Sequence, residues 1–228
     1  MKVQSFVPSG SGAWVLHAEL QRALAGYCVM PYSRWWELFP WRLAGLSKGN
    51  ADIIHATLDY GAFFRQSGLP LVTTAHNYVL DRAMRPYSSL LQSIHYQTDL
   101  RWFTQKGLRC SARVIAVSQF VAGCLRQDLG HQGRVDVIYN GIDEGRFTPG
   151  ESRHKGRGYS VLFSGNTNRR KRADLLVPLA NELGAEFEIY YTSGLSGSAV
   201  LQGRLQPNSA RLVSLGTLPY EQMTEAYR

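Results

Sequence analysis

The run Phe163-Ser164-Gly165-Asn166-Thr167-Asn168-Arg169-Arg170-Lys171 joins a short apolar segment to a glycine and then to a cluster of cations. That order suits an anion, above all a phosphate. Gly165 lets backbone amides approach, a helix opening behind the loop would add a favourable dipole, and Lys171, with Arg170 beside it, supplies charge. Charge-assisted contacts of this kind are each worth roughly 1.5 to 3 kcal/mol. A solvated basic turn has the same composition, so both readings stay open. A second glycine turn, Ser9-Gly10-Ser11-Gly12, precedes a stretch of helical spacing and brings amides toward an anion in the same way. It lacks the third glycine of G-x-G-x-x-G, and no acidic residue closes a following strand, which argues against a dinucleotide. A plain tight turn is the alternative there.

Further polar positions follow apolar, β-branched runs. His76 and Asn77 come directly after Leu71 to Ala75, Ser118 after Arg113 to Val117, and Asn140 after Val135 to Ile138. Such placement puts them at carboxyl ends of strands, the edge at which open α/β sheets bind ligands. His76 is the candidate for chemistry, against the structural role that lone histidines often have. Ser118 is expected to cap the next helix, and Asn140-Gly141 to form a turn. His17 reads as structural. His55, His95, His131 and His154, and Cys28, Cys110 and Cys124, show no metal-ligand spacing, and there is no Asp-x-Asp pair; neither a metal nor a cofactor is expected.

The elements that must hold these residues alternate between strand and helix. Expected strands are Val3 to Val7, Asp52 to His55, Leu71 to Ala75, Arg113 to Val117 and Val135 to Ile138. Expected helices are Trp14 to Ala25, Asp59 to Gln66, Ala83 to Lys106 and Gln119 to Leu129. This is a parallel sheet wound on both faces. After Phe147 the sequence turns rich in glycine and charge, and then the alternation restarts. Strands are expected at Val161 to Ser164, Glu186 to Thr192 and Arg211 to Leu215, with helices at Ala173 to Leu183 and Tyr220 to Arg228. The expected organisation is a first α/β domain over 1–148, a hinge over 149–158 and a second, incomplete one over 159–228, the chain breaking off inside a helix.

At 228 residues and 44% hydrophobic content the chain is globular in composition, with neither a bilayer-length apolar run nor the basic and apolar start of a signal peptide. A cytoplasmic protein is expected. Its net charge of +8 points to acidic partners. Nucleic acid is excluded for want of a recognisable binding motif. Arg82, Arg85, Arg101 and Arg109 interleave with Tyr87, Tyr96, Trp102 and Phe103. That pattern suits a peripheral contact at the inner membrane face, and equally a helix buried on one side and solvated on the other.

Taken in order, the segments SGSGAW, ADIIHATLDYGAFF, PLVTTAHNY, ARVIAVSQFVAGCL, VDVIYNGIDEGRFTP, VLFSGNTNRRKRADLL and ARLVSLGTLPYEQMTEAYR resemble glycosyltransferase family 4. The resemblance implies the GT-B fold, with a complete N-terminal Rossmann-like domain for the acceptor and the beginning of a second for the nucleotide sugar. It implies a retaining transfer of a hexosyl-type group from a nucleotide diphosphate sugar to a hydroxyl of a glycan or lipid-linked acceptor, in glycan, polysaccharide or glycolipid biosynthesis. By position it puts Gly10 and Gly12 near the transferred sugar and diphosphate, His76 beside the reacting centre or the acceptor, and Lys171 on the diphosphate. Asn166 stands where the family commonly has arginine, so either Arg169 or Arg170 takes that charge or the binding geometry differs. The family's pair of donor-binding glutamates would lie beyond Arg228, which keeps a second reading open: a non-catalytic module that binds acceptor or membrane only.

Overall fold

The structure is a computed structural model that describes residues 1–46, 49–150, 158–193, 201 and 203–228. Most of the expected hinge, including Arg153, His154 and Lys155, lies outside the described residues. The chain divides into two compact units, Met1–Gly141 and Ile142–Arg228.

In the first unit, strands β1 (Val3–Pro8), β2 (Tyr27–Tyr32), β3 (Ile53–Thr57), β4 (Leu71–Ala75), β5 (Arg113–Ala116) and β6 (Val135–Val137) form one sheet in the order β2-β1-β3-β4-β5-β6. Every neighbouring pair is parallel. Because β2 lies on one side of β1 and β3 on the other, the winding reverses between β1 and β3. A crevice opens at the carboxyl ends of strands at such a reversal. Strand β2, which the sequence did not announce, contains Pro31 and pairs only with β1 at the sheet edge, where a missing N–H is tolerated.

Helices α1 (Gly12–Ala23), α2 (Trp41–Ala44), α3 (Leu58–Gly61), α4 (Leu90–His95), α5 (Arg101–Cys110) and α6 (Gln119–Gln127) connect the strands. The long helix expected over Ala83 to Lys106 is broken. A 3-10 turn, Arg82–Tyr87, is capped by Asp81 and contains Pro86; Ser89 and Gln92 then form a capping box that starts α4 afresh. A π turn, Tyr96–Leu100, links α4 to α5. Proline and a new N-cap each stop a helix, and here both intervene.

The core lies between sheet and helices, with Phe6, Ile54, Phe64, Leu71 and Leu125 fully buried and the rings of Phe6 and Phe64 stacked at 4.6 Å. Helix α5 sits close against α3: a Cβ added at Gly107 would stand 2.6 Å from the Leu58 carbonyl oxygen. Gly107→Ala is therefore expected to destabilise the first unit by about 1 to 3 kcal/mol, although alanine favours a helix by roughly 1 kcal/mol over glycine. Urea unfolding followed by tryptophan fluorescence checks this, since all five tryptophans fall between Trp14 and Trp102. A stabilised variant would show that the helices can separate at no cost.

The second unit holds strands β7 (Tyr159–Phe163), β8 (Phe187–Thr192) and β9 (Arg211–Gly216), parallel and in that order. Helices α7 (Leu176–Glu182) and α8 (Met223–Tyr227) accompany them. Its smaller core gathers Ala173, Leu176, Ala180, Ile189 and Ala210.

Candidate functional site

Gly10 and Gly12 lie at the point where the first sheet reverses. Gly10 takes φ +65°, a left-handed conformation that a side chain resists, and turns the chain from β1 into α1. Ser11 caps α1, its hydroxyl accepting from the Trp14 N–H at 3.0 Å and donating to the Pro8 carbonyl at 2.8 Å. Gly12 opens the helix, and a Cβ there would meet nothing within 4 Å. The first turn of α1 is thus open beside a glycine turn.

His76 follows β4 at the same edge and is partly exposed. Its Nε2 lies 3.0 Å from Nε2 of His17, which is fully buried on α1. His17 Nδ1 meets the hydroxyls of Ser5 and Tyr27, at 2.5 and 3.0 Å. Tyr27 also reaches Nδ1 of His55 at 2.6 Å, and His55 Nε2 meets the Thr74 hydroxyl at 2.8 Å. Three histidines from α1, β3 and the end of β4 therefore share one hydrogen-bonded network. The sequence treated them singly, and no regular spacing joins positions 17, 55 and 76.

Burial disfavours the charged form of each ring. It lowers His76 to about 4. It lowers His55 to about 4, with help from His76, and His17 to about 2, with help from both neighbours. All three are neutral near pH 7, so one Nε2 of the His17–His76 pair carries the shared hydrogen and the other accepts it. His76 is therefore an oriented, uncharged imidazole at the sheet edge.

Two partly buried carboxyls near the ends of β2 and β3 shift the opposite way. Burial raises Glu37 to about 7, with Arg34 opposing and Asp59 reinforcing the shift, and raises Asp59 to about 6, opposed by a hydrogen bond from Thr104. The two sets act against each other on stability. As pH falls from 6.5 toward 4, the unfolded chain binds protons that the folded histidines refuse, so their contribution is complete above 6.5 and is lost in that window. Glu37 and Asp59 hold protons in the folded chain, so what they contribute is present at acid pH and is lost as pH rises from about 4 through 6 to 7. Three protons against two leave a net dependence of about one, or roughly 1.4 kcal/mol per pH unit. Replacing both carboxyls, Glu37→Gln with Asp59→Asn, is expected to steepen acid destabilisation between pH 4.5 and 6 toward three protons, as read by urea unfolding across pH. An unchanged slope would mean that these carboxyls ionise normally.

Ser118 caps α6 by accepting from the Val121 N–H at 3.2 Å, as its sequence context suggested. Asn77 is exposed beside His76, and Asn140 is exposed beyond β6. Both stand past carboxyl ends of strands of this sheet.

In the second unit the loop after β7 is held from β8. The Gly165 N–H donates to the Thr192 hydroxyl at 2.9 Å, and that hydroxyl donates back to the Gly165 carbonyl at 3.0 Å. Thr167, also buried, donates its hydroxyl to the Ser193 carbonyl at 3.4 Å. Asn166 follows at intermediate exposure, and Asn168 accepts from the Lys171 N–H at 3.0 Å. Arg169, Arg170 and Lys171 stand exposed on a single 3-10 turn. The helix opening expected directly behind Lys171 is absent. Arg172 turns left-handed at φ 61°, a second 3-10 turn follows, and α7 begins only at Leu176. No helix dipole therefore adds to the charge of these cations. The cavity beside β7 and α8, about 650 Å³, is lined by Tyr159, Val161, Tyr190, Leu218 and Gln222 among others, and not by this loop.

A doubly wound parallel sheet followed by a second parallel sheet is the architecture of GT-B glycosyltransferases. Residues 2–146 match the family described as Glycosyltransferase Family 4, and the chain belongs to that family. Among solved structures it is similar to Anabaena HepE in complex with UDP and glucose, at 18% identity and TM-score 0.66, over 99% of this chain and 71% of that one. The HepE structure with UDP-glucose gives the same values, and the one with UDP gives 16% identity and TM-score 0.60, over 98% and 71%. A search of curated proteins finds no match. No helix among the described residues is long and apolar enough to cross a membrane.

Proposed function

We propose that this glycosyltransferase moves a sugar from a nucleotide diphosphate sugar to an acceptor hydroxyl with retention of configuration, in the synthesis of a glycan or glycolipid. The observation that carries this is a repeated placement. In each unit a glycine turn leaves the carboxyl end of the unit's first strand, Ser9 to Gly12 after β1 and Ser164 to Lys171 after β7. The second carries Arg170 and Lys171, exposed on a loop tied down by Thr192. On this reading Gly165, Asn166, Arg170 and Lys171 bind the donor diphosphate, Gly10 and Gly12 admit the donor's sugar end, and His76 touches the reacting centre, with Asn77 near the acceptor. The leaving diphosphate gains charge in the transition state, and fixed cations stabilise it there more than in the ground state. The binding of UDP and of UDP-glucose by HepE supports a nucleotide-sugar donor.

Calorimetric titration with UDP-glucose and other sugar nucleotides tests the reading, with saturable one-to-one binding expected for at least one. Because side-chain cations meet the diphosphate, binding is expected to survive EDTA. Failure of every donor, with acceptor glycans or lipids still bound, would favour the non-catalytic module.

A further inference from the structure

All connections that leave a strand in a parallel sheet begin at its carboxyl edge. The segment after β2 starts there at Ser33 and carries two short turns with unusual surfaces. Trp35 and Leu38 lie three apart on the 3-10 turn Arg34–Leu38, and i,i+3 positions on such a turn share a face. Trp35 is 76% exposed and Trp41 is 64% exposed. The Phe39 ring packs edge-on against Trp41 at 5.4 Å, and the Arg42 guanidinium lies 5.8 Å over Phe39. Arg34 and Arg42 are both exposed, with Glu37 facing Arg34 from within.

A second patch rises after β4. Helix α4 exposes Leu90 and Leu91, at 78% and 79%, and Ile94, one turn further on. The preceding 3-10 turn exposes Arg82 and Arg85. The return to the amino edge is made by α5, which at about 1.5 Å per residue has the length of a strand. Residues 81–100 therefore stay on the carboxyl side. Strands β2 and β4 stand three places apart in the sheet, roughly 14 Å at 4.8 Å per strand. The Gly10 turn and His76 lie between or beside them on the same edge.

We infer that these two patches seat the first unit on an anionic lipid surface, so that the acceptor edge faces the headgroups. This rests on the transferase reading and names the form of its acceptor: one presented at a membrane. A flat surface can touch both patches at once, whereas a single soluble sugar cannot span them. Tryptophan favours the headgroup level, phenylalanine, leucine and isoleucine the acyl boundary, and the four arginines add attraction to anionic lipid. Of the residues that sequence alone offered for this contact, Arg82 and Arg85 belong to the second patch, whereas Arg101 and Trp102 are engaged elsewhere. Arg101 donates to the Asp128 carbonyl at 2.6 Å, and Lys106 lies 5.0 Å over the Trp102 ring.

The test is co-sedimentation of the full chain with phosphatidylcholine vesicles, with or without 30% phosphatidylglycerol, at low and high salt. At least tenfold stronger partition onto the anionic vesicles is expected, falling about fivefold for each arginine removed among Arg34→Gln, Arg42→Gln, Arg82→Gln and Arg85→Gln. Trp35→Ala with Trp41→Ala, and separately Leu90→Ser with Leu91→Ser, are each expected to lower partition at least tenfold, while Trp102→Ala changes it less than twofold. Equal binding to both vesicle types, or no loss in either patch variant, overturns the inference. So does a dimer, seen by light scattering, that the tryptophan substitutions dissolve while vesicles go unbound. Sugar-nucleotide titration of the same samples separates the two readings: donor binding without vesicle binding sinks only this one, whereas loss of donor binding in the unsubstituted chain sinks the other.

Discussion

Replacing His76 with alanine is expected to lower kcat by about 10²- to 10³-fold, the range seen when one preorganised polar group at a reacting centre is removed, with donor affinity changed by less than about threefold. The expectation follows from the surroundings of the ring rather than from its being a histidine. Burial keeps it uncharged, and His17 fixes it from behind at 3.0 Å, so it offers one defined hydrogen-bonding face at the sheet edge. A group oriented before substrate arrives costs little to use in the transition state. His17→Ala should show a different pattern. It takes a buried hydrogen-bond partner from the Ser5 hydroxyl, while Tyr27 keeps His55, which costs about 1 to 3 kcal/mol of stability, and it also lowers kcat, because His76 loses its partner. In the double variant the two losses of kcat should not add, since both remove one coupled unit. Fully additive effects on kcat, or a His76→Ala enzyme with normal turnover, would reduce the network to a packing device. Nitrogen NMR of the histidines offers a check independent of activity, with all three rings remaining neutral down to pH 5.

Much of the fold was legible because each strand of a doubly wound sheet is a short apolar run, and such runs stand out against the helices between them. Leu71 to Ala75 was read to the residue, and β1, β3 and β5 to within one or two positions at either end. Strand β2 was not read, because Cys28, Met30 and Pro31 break the β-branched pattern, and only its edge position makes proline acceptable there. The helix over Ala83 to Lys106 was overdrawn, since composition carries on through Pro86 and Ser89 while hydrogen bonding does not. At the candidate site, His76 could be singled out from its strand-end position alone. Its partners could not. His17 lies on a helix, Tyr27 on the unread strand and His55 inside an apolar run, and only the sheet order brings them together. Thr192 was hidden for the same reason: its hold on Gly165 depends on β8 lying beside β7. Local chemistry is written in local sequence, but long-range partners are set by topology.

The loop in the second unit yields the other large effect. Lys171→Ala is expected to raise the donor Michaelis constant, or to lower turnover, by at least about tenfold, equivalent to roughly 1.4 kcal/mol. Without a helix opening at Lys171 the dipole contributes nothing there, so the lysine's own charge must carry the interaction with the diphosphate. That makes the effect sensitive to charge and tolerant of shape. Lys171→Arg should therefore keep most of the activity, and Lys171→Met should behave like alanine. Arg170→Ala should cost less if it shares the diphosphate with Lys171, because either cation then partly covers for the other. The loop's geometry can be tested apart from its charge through Thr192→Val, which keeps the side-chain volume but removes the hydroxyl that both accepts from and donates to Gly165. Donor binding should weaken in that variant although every cation is still present, and it should weaken further when Lys171→Ala is added. Raising salt from about 50 to 500 mM should reduce wild-type donor affinity more than that of Lys171→Ala, since an exposed charge is the part that salt screens. If Lys171→Ala, Lys171→Met and the wild type share one Michaelis constant for every sugar nucleotide that binds, Lys171 is a solvated surface charge, and the anion site must lie elsewhere in the chain.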